Sequence, residues 1–438
     1  MSGLLRRHRD FRLLWSGETS GKFGAAVTRV VMPLIAVTTL QADTFEVGLL
    51  NASGWLPWLL IGLPVGVWVD RVRRRPLMLT AAAASLGLFA VVPVLAHSGG
   101  LTLGLLIAVA LLTGAAAVVF QTAYTAYLPT LLAPQDQPEG NAKLHGSASA
   151  AQIAGQGAGG FLVQLVGAAP ALLANAATFA LSLLCLRGIR HREPRPAAGE
   201  SPRPLTAEVA EGLRWVARDP WFRSLTLFGA ASNLALMGYQ SLLTVFLVRE
   251  VGLAPGAVGA LMALAGLGGV AGALAVRRTA DRLGTARATL VFELGLSTAA
   301  LLIPLATRGA GTLLYVAGAG AVSAGVVGGN ILKAGFQQRY CPPQLLGRLT
   351  ASTSFLNYGT LPLGALLGGA LGAALGVRTA MWITTAGVPL AALILVFSPV
   401  RTVRDLPLGP TGPHALDTDG RRDAAPDGRD GAGASPAR

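Results

Sequence analysis

The chain has 438 residues, of which 52% are hydrophobic and 13% are charged. Charged residues make up about a quarter of a soluble domain, so this composition excludes an ordinary soluble protein. The formal net charge of +14 would suit nucleic-acid binding in a soluble protein, but here the arginines cluster in alternate loops between apolar stretches. Because that distribution is the positive-inside pattern, we predict an all-α, polytopic membrane protein without a nucleic-acid partner.

Apolar stretches long enough to cross a bilayer, about 20 residues each, recur along most of the chain. An even number of spans that follows a basic first segment predicts both termini in the cytoplasm. The twelve transmembrane helices are predicted near residues 17–39, 46–69, 76–97, 100–127, 145–167, 169–187, 222–248, 254–276, 286–307, 310–336, 350–375 and 378–398.

A polar segment divides the predicted spans into an N-terminal half, residues 1–187, and a C-terminal half, residues 222–398. The intervening residues 188–221 are rich in proline, arginine and glutamate, which is typical of a linker. Apolar residues recur at helical spacing in the second part of this cytoplasmic linker, as in an amphipathic helix that lies on a membrane surface. Residues 399–438 contain few large apolar side chains, and we expect a disordered cytoplasmic tail there.

An internal repeat relates the two halves. Gly48 precedes Asp70 by 22 residues, and Gly259 precedes Asp281 by the same number. A four-residue step of glycines places small residues on one helix face, where two backbones can approach closely. Such steps occur in spans five and eleven, at Gly155, Gly159, Gly364, Gly368, Gly372 and Gly376. Two six-span halves are a known transporter architecture, with the substrate site between the halves near the bilayer midplane.

Several short motifs, in this order along the chain, resemble a known family. They are RDFRLLW at 9–15, GLPVGVWVDR at 62–71, RRRP at 73–76, YLP at 127–129, NAKL at 141–144, GRL at 347–349 and PLGALLG at 362–368. With them the chain resembles the major facilitator superfamily over about residues 8–405, and within it the bacterial drug and siderophore exporters, such as macrolide efflux and enterobactin export proteins. The resemblance implies two pseudo-symmetric six-helix halves and transport by alternating access.

The resemblance also implies a role for the loop between spans two and three, which works as a cytoplasmic latch in the family. Gly66 would permit close approach of spans two and eleven, and Asp70 would face the positive end of the span-eleven helix dipole. The arginines of the loop would pair with acids or carbonyls on neighbouring spans. The alternative is that these arginines only retain the loop in the cytoplasm. The basic latch residues are Arg71, Arg74 and Arg75, and the second-half copy of the motif is Asp281 and Arg282.

Charged residues inside the spans are costly and are usually functional. Glu18, Lys22 and Arg29 share one face of span one, because they are spaced by four and seven residues. We predict that Arg29 binds an anionic or strongly polar group of the substrate, with Lys22 and Glu18 near the cavity mouth. The alternative is that Arg29 pairs with carbonyls or a carboxylate and fixes span one. Glu293 in span nine is either a proton-coupling group, with Glu18, or a structural acid bonded to a neighbouring arginine.

Amide side chains supply the remaining candidate substrate contacts, because spans four, seven and ten usually line the cavity of this fold. These are Gln121, Asn233, Gln240 and Asn330. The alternative is that they join helices to one another. Gln121 also stands where relatives often carry an acid, which weakens any proton relay copied from them.

The sequence carries no constellation for enzymatic chemistry. Residues 17–23 look like a phosphate-binding loop but have three rather than four residues between their glycines, so no ATP site is predicted. No catalytic, metal or cofactor site is predicted either. We therefore predict a monomeric, proton-coupled exporter of a small organic molecule (an antibiotic, a siderophore or a similar amphiphile) in the bacterial plasma membrane. The alternatives are an uptake or facilitative carrier of the same fold and a non-transporting membrane sensor or scaffold.

Overall fold

A computed structural model describes residues 3–191, 193, 205–341 and 343–409, with the backbone alone at 67, 70, 205–211 and 343–348. Within these ranges the protein is almost entirely helical and contains no β-strand. The long helices are α1 (Arg9–Leu34), α2 (Thr44–Arg71), α3 (Arg74–His97), α4 (Leu103–Leu131), α5 (Gln137–Val166), α6 (Ala168–Gly188), α7 (Pro220–Val245), α8 (Pro255–Leu283), α9 (Thr285–Leu305), α10 (Thr312–Tyr340), α11 (Pro343–Leu375) and α12 (Val377–Val396).

The predicted all-α membrane fold is confirmed. In the described ranges, eleven helices are long and apolar enough to cross a bilayer. The remaining long helix, α5, has 30 residues and is also long enough, but its glycines and polar residues make it less apolar.

Helix starts and turns follow from local chemistry. Asp43 and Glu46 form a capping box at the start of α2, with N–O distances of 2.8 and 2.7 Å. Tight turns join α5 to α6, α8 to α9 and α11 to α12. Each turn holds one glycine with φ between +84° and +89°, which side chains rarely adopt: Gly167, Gly284 and Gly376.

Two equivalent helices end in the same irregular way. α1 continues into a π-helical turn, Ile35–Thr39, and α7 continues into another, Phe246–Glu250. A third π turn, Val291–Gly295, lies inside α9 and is followed by a 3₁₀ segment. Single π turns in longer helices are frequent at functional sites.

The same packing pattern recurs in both groups of six helices. α1 packs against α5 and α6, as α7 packs against α11 and α12; α2 packs on α4, as α8 packs on α10. Glycines of α5 and α11 make the first of these contacts close. A Cβ on Gly159 would lie 3.1 Å from the Val27 carbonyl oxygen, and the Cβ of an alanine at Gly368 would meet the carbonyl of Gly238. The predicted close approach is confirmed at Gly155, Gly159, Gly364, Gly368 and Gly372, whereas Gly376 lies in the α11–α12 turn, where an added Cβ would have no described atom within 4 Å.

Two helix pairs join the halves, α2 with α11 and α5 with α8. A Cβ on Gly48 would lie 2.8 Å from the Cα of Gly369, and one on Gly259 would lie 2.7 Å from the Cα of Gly160. We call these two contacts the glycine clasp. We call the end of the bundle where α1 and α7 begin and α6 and α12 end the terminal face, and the opposite end the far face. Both contacts of the clasp lie at the far face. The halves are therefore closed together at the far face.

A polar contact crosses between the halves beside this clasp. The Arg249 guanidinium, at the end of the α7 π turn, donates to the Ala42 carbonyl in the α1–α2 loop at 2.7 Å. The preceding residue, Gln41, has a φ of +53°, an uncommon conformation for a residue other than glycine. Arg249 thus links the two halves at the far face.

Replacing Arg249 with glutamine is expected to loosen the far face, because the Ala42 carbonyl loses a charged donor from the other half. Hydrogen–deuterium exchange in the peptide of residues 40–48 should then be faster. Arg308→Gln is the matched control, since Arg308 donates to the Val251 carbonyl at 2.9 Å within its own half. Equal exchange at 40–48 in wild type and Arg249→Gln would contradict this role.

The linker and the tail are partly described. A helix at Leu205–Arg218 occupies the second part of the predicted linker and packs beside α11, with Val216 buried; its membrane-surface position stays a prediction. Residues 399–409, included in the tail that we expected to be disordered, instead pack against the C-terminal half, because Val400 and Leu406 are buried there. Residues 194–204 and 410–438 lie outside the described residues.

Candidate transport site

α1 and α7 are the most enclosed spans. Their apolar windows are 61% and 72% buried, against 28–44% for the other spans found by length and apolarity. These two helices also contact each other. Polar residues on them therefore face the centre of the bundle more readily than the lipid.

The charged face predicted on α1 is present and is in contact with α4. Glu18, which is 6% exposed, accepts from the Lys22 ammonium at 3.1 Å. The same ammonium donates to the Gln121 side-chain oxygen at 2.8 Å. The structure thus brings three predicted residues together, with Gln121 serving as a neutral partner of Lys22.

Arg29 continues this face of α1 towards the far face. The neighbouring Val27 and Val30 are fully buried, and Gly24 and Thr28 contact α6, which fixes the opposite side of the helix. Arg29 lies deep among the helices, yet its side chain is exposed, and it is not among the residues that line the cavity described next. It has no hydrogen-bond or ion-pair partner within the described part of the chain.

The C-terminal half contains a cavity of about 390 Å³ between α7, α9, α10 and α11. Three predicted residues line it: Asn233, Asn330 and Glu293. All its lining residues on α11, and most of those on α7 and α10, belong to the parts of these helices nearer the terminal face. The cavity therefore opens on the side of the bundle opposite to the glycine clasp. Gln240, also predicted as a substrate contact, lies farther along α7 towards the far face and does not line this cavity.

Glu293 is buried, with 5% exposure, and its carboxylate lies 2.8 Å from the Lys333 ammonium. The acid belongs to the π turn of α9 and packs on Gly329, where a Cβ would collide with it. Lys333 also stands 4.9 Å from the centre of the Phe228 ring, a cation–π distance. The expected partner of Glu293 was an arginine, but it is a lysine. Sequence analysis missed Lys333 although it lies inside predicted span ten.

Two residues of α11 complete the cavity wall. The Asn233 amide donates to the Asn357 backbone carbonyl at 3.3 Å, and the buried Asn357 Oδ1 has no hydrogen-bond partner among the described residues. Next to it, Tyr358 meets Trp58 of α2 with ring centres 5.3 Å apart. This aromatic contact joins the two halves at mid-membrane level, beside the cavity.

The basic loop of the predicted latch contacts its own half in this state. Arg74 donates to Glu193 from its backbone N–H at 2.7 Å and from its guanidinium at 3.0 Å. Arg75 donates to the carbonyls of Leu186 and Arg187, at the end of α6, at 3.0 and 2.8 Å. Among the described atoms, none lies within 4 Å of a Cβ placed on Gly66, so α2 and α11 do not meet there. Arg71 is exposed, and the Asp70 side chain lies outside the described residues.

The second half repeats part of this arrangement. Asp405, which follows α12, accepts from the Thr285 N–H at the start of α9 at 2.8 Å, as Glu193 does at the start of α3. Asp281 is exposed and 3.9 Å from Arg277, and Arg282 is exposed. Each half thus holds the first turn of its third helix with a carboxylate that follows its sixth helix.

These two carboxylates give a reciprocal test. Glu193→Gln is expected to accelerate amide exchange at the start of α3, because a charged acceptor at a helix N-terminus is lost. Asp405→Asn should do the same at the start of α9. Each variant is the control for the other, and exchange that rises at both helices in either variant would contradict the local role of these acids.

A family model described as Major Facilitator Superfamily matches residues 15–360. The chain belongs to the major facilitator superfamily. It is a multi-pass membrane transporter, and this superfamily is not a class of enzymes. Within the described residues, no group of three His, Cys, Asp or Glu side chains could hold a metal ion.

Similar proteins agree with this family. The chain is 27% identical over 403 residues to the multidrug efflux pump Tap of Mycolicibacterium fortuitum, covering 88% of this chain and 95% of that pump. The structure of a mutant of the nucleoside transporter NupG has a TM-score of 0.71 at 13% identity, covering 89% of this chain and 99% of that one. A bacterial homologue of the iron transporter ferroportin, in its inward-facing state, scores 0.70 at 17% identity, covering 90% and 99% of the two chains. Its outward-facing state scores 0.58.

Proposed function

We propose that this major facilitator superfamily transporter exports a small organic molecule, such as an antibiotic, a siderophore or a similar amphiphile, from the bacterial cytoplasm across the plasma membrane in exchange for protons. The observation that carries the proposal is the polar cavity lined by Asn233, Asn330 and Glu293, which opens at one face while the glycine clasp closes the other. The likeness to multidrug efflux pumps over most of the chain supports export rather than uptake.

Alternating access explains how one cavity serves both sides of a membrane. With the basic terminal face in the cytoplasm, as the positive-inside rule favours, the cavity is open inward and the clasp closes the outer side. Arg29, Lys22 and Gln121 from the first half, with Asn233 and Asn330 from the second, are the proposed substrate contacts. Gln240, which is closer to the clasp than the cavity is, is a further proposed contact.

Proton coupling is assigned to the two acids of the spans. Glu18 and Glu293 each form an ion pair with a lysine in this state, 3.1 and 2.8 Å apart. Protonation of either carboxylate would remove the charge that holds its lysine, so it would free that lysine for substrate or for another partner. A proton can thereby change the balance between two conformations that differ in these contacts.

The latch residues are assigned to the opposite state. Closure of the terminal face would bring Gly66 and Asp70 towards α11, while Arg71, Arg74 and Arg75 exchange their present contacts for partners on neighbouring spans. Asp281 and Arg282 would act in the same way in the second half. Asp70→Asn should therefore reduce transport at normal expression, and unaltered transport in that variant would contradict the latch.

Transport by inverted membrane vesicles tests the proposed function. Substrates are first selected from a susceptibility panel in a pump-deficient host that expresses the protein. Accumulation inside inverted vesicles should then require an inside-acid gradient and should collapse with a protonophore. Accumulation without a gradient would indicate a facilitative carrier, and a lack of movement for every compound that shows resistance would indicate a sensor or scaffold.

A further inference from the structure

We infer that the transported molecule is an organic monoanion whose negative group is bound by Arg29. This inference rests on the proposed function and names the substrate class of the proposed transporter. The evidence is the charge of the membrane-embedded interior, the state of Arg29 and the chemistry of the cavity in the other half.

The interior carries one positive charge that the described residues do not neutralise. Five of the described side chains are charged and lie more than six residues from either end of their spans. Four form two pairs, one between Glu18 and Lys22 and one between Glu293 and Lys333. The fifth, Arg29, is left with its charge uncompensated.

An arginine inside the membrane normally pairs with an acid or a backbone carbonyl, because a buried charge without a partner is costly. Arg29 has neither within the described part of the chain, although its own helix and α5 and α6 lie close by. It instead remains exposed in the interior. Water can satisfy it while the cavity is open, but closing the terminal face around an empty site would enclose the charge. A bound monoanion removes that cost.

The cavity of the C-terminal half suits the rest of an amphiphilic anion. It presents amide groups at Asn233 and Asn330, and aromatic surface at Tyr358. Tyr358 is 41% exposed and is held by Trp58 of the other half. An aromatic body against Tyr358 and an anionic group at Arg29 are therefore the two parts of the proposed ligand. A guanidinium matches a carboxylate in particular, because two parallel N–H groups can donate to its two oxygens.

Three naphthalene probes of nearly equal shape test the inference: 1-naphthoate, 1-naphthamide and 1-naphthylmethylammonium. Their binding to the purified full chain in detergent is measured by titration calorimetry at neutral pH. Wild type should bind the carboxylate about tenfold or more tightly than the amide, which corresponds to about 1.4 kcal/mol, and should bind the ammonium most weakly. The preference should disappear in Arg29→Gln and persist in Arg29→Lys.

Arg277→Gln is the matched control, because it removes an arginine whose side chain is 91% exposed, and it should leave the preference unchanged. If Arg29→Gln does not yield folded protein, the wild-type ranking and Arg29→Lys still decide the question. Equal wild-type affinity for the three probes, no binding of any of them, or an unaltered preference in Arg29→Gln would each overturn the inference. A wild-type preference for the amide or the ammonium would also overturn the inference, but the proposed transport function would stand. Failure of the vesicle experiment, by contrast, would overturn the proposed function itself.

Discussion

Replacing Gly48 with alanine is expected to reduce transport by about five- to 150-fold, because the added Cβ prevents the halves from closing at the far face. That Cβ would lie 2.8 Å from the Cα of Gly369 and 2.9 Å from the Ala365 carbonyl oxygen. Both are backbone atoms of another helix, so neither can turn aside. Overpacking of this kind costs about 1–3 kcal/mol, which shifts a two-state equilibrium by the factor stated. Gly160→Ala, on the other side of the clasp, should act similarly.

The same helices supply the controls. A Cβ on Gly54 in α2 or on Gly146 in α5 would have no described atom within 4 Å. Gly54→Ala and Gly146→Ala therefore bring the same gain in helix propensity without the collision, and they should transport like wild type.

A cysteine that replaces Ala52 reports on closure of the far face, since this position is 4% exposed and lies beside Ala365 of α11. Gly48→Ala should accelerate its reaction with a small maleimide, and Gly54→Ala should not. Burial raises the pKa of Cys341 to about 11, so at neutral pH that thiol is largely protonated and background labelling there is slow. Unaltered labelling in Gly48→Ala, together with normal transport, would contradict the clasp.

Replacing Lys333 with methionine is expected to lower the stability of the protein by about 3–5 kcal/mol, because it leaves the buried Glu293 without its partner. The thermal midpoint of purified protein measures this loss. The double variant Glu293→Gln with Lys333→Met removes both charges, and it should recover most of the stability. Arg277→Met breaks only an exposed pair, 3.9 Å apart, which is worth about 0–1 kcal/mol.

Transport by the stable double variant separates the two interpretations of Glu293. If this acid couples transport to protons, the double variant should move substrate down its gradient but should not respond to an inside-acid gradient. If Glu293 only fixes α9 to α10, proton-driven transport should survive in the double variant. A single Lys333→Met variant as stable as wild type would contradict the burial argument altogether.

The sequence was sufficient to predict the spans, because apolar length alone signals a membrane helix. The glycine steps of α5 and α11 were also predictable, since helical periodicity places them on one face. The face shared by Glu18, Lys22 and Arg29 could be found in the same way, whereas the position of Asn233 and Asn330 in spans that line the cavity was implied by the resemblance to the family.

Other features of the site depend on tertiary contacts that periodicity cannot supply. The pairing of Glu293 with Lys333 joins residues 40 positions apart on two helices, and the contact of Arg74 with Glu193 crosses 119 positions. Lys333 itself carried a signal, since a lysine inside an apolar span is rare and is usually functional. The closure of the far face carried no signal in the sequence, because one sequence encodes every state of the transport cycle.

The π turns at the ends of α1 and α7 bear on the ancestry of the protein. Ile35–Thr39 and Phe246–Glu250 are separated by 211 positions, the same interval that separates Gly48 from Gly259 and Asp70 from Asp281. A π turn holds about one residue more than an α-helical turn, so its matched position in both halves indicates that it was already present in the six-helix unit that duplicated. Since then, this segment of the two copies has accepted no net insertion or deletion, although most of its side chains have diverged.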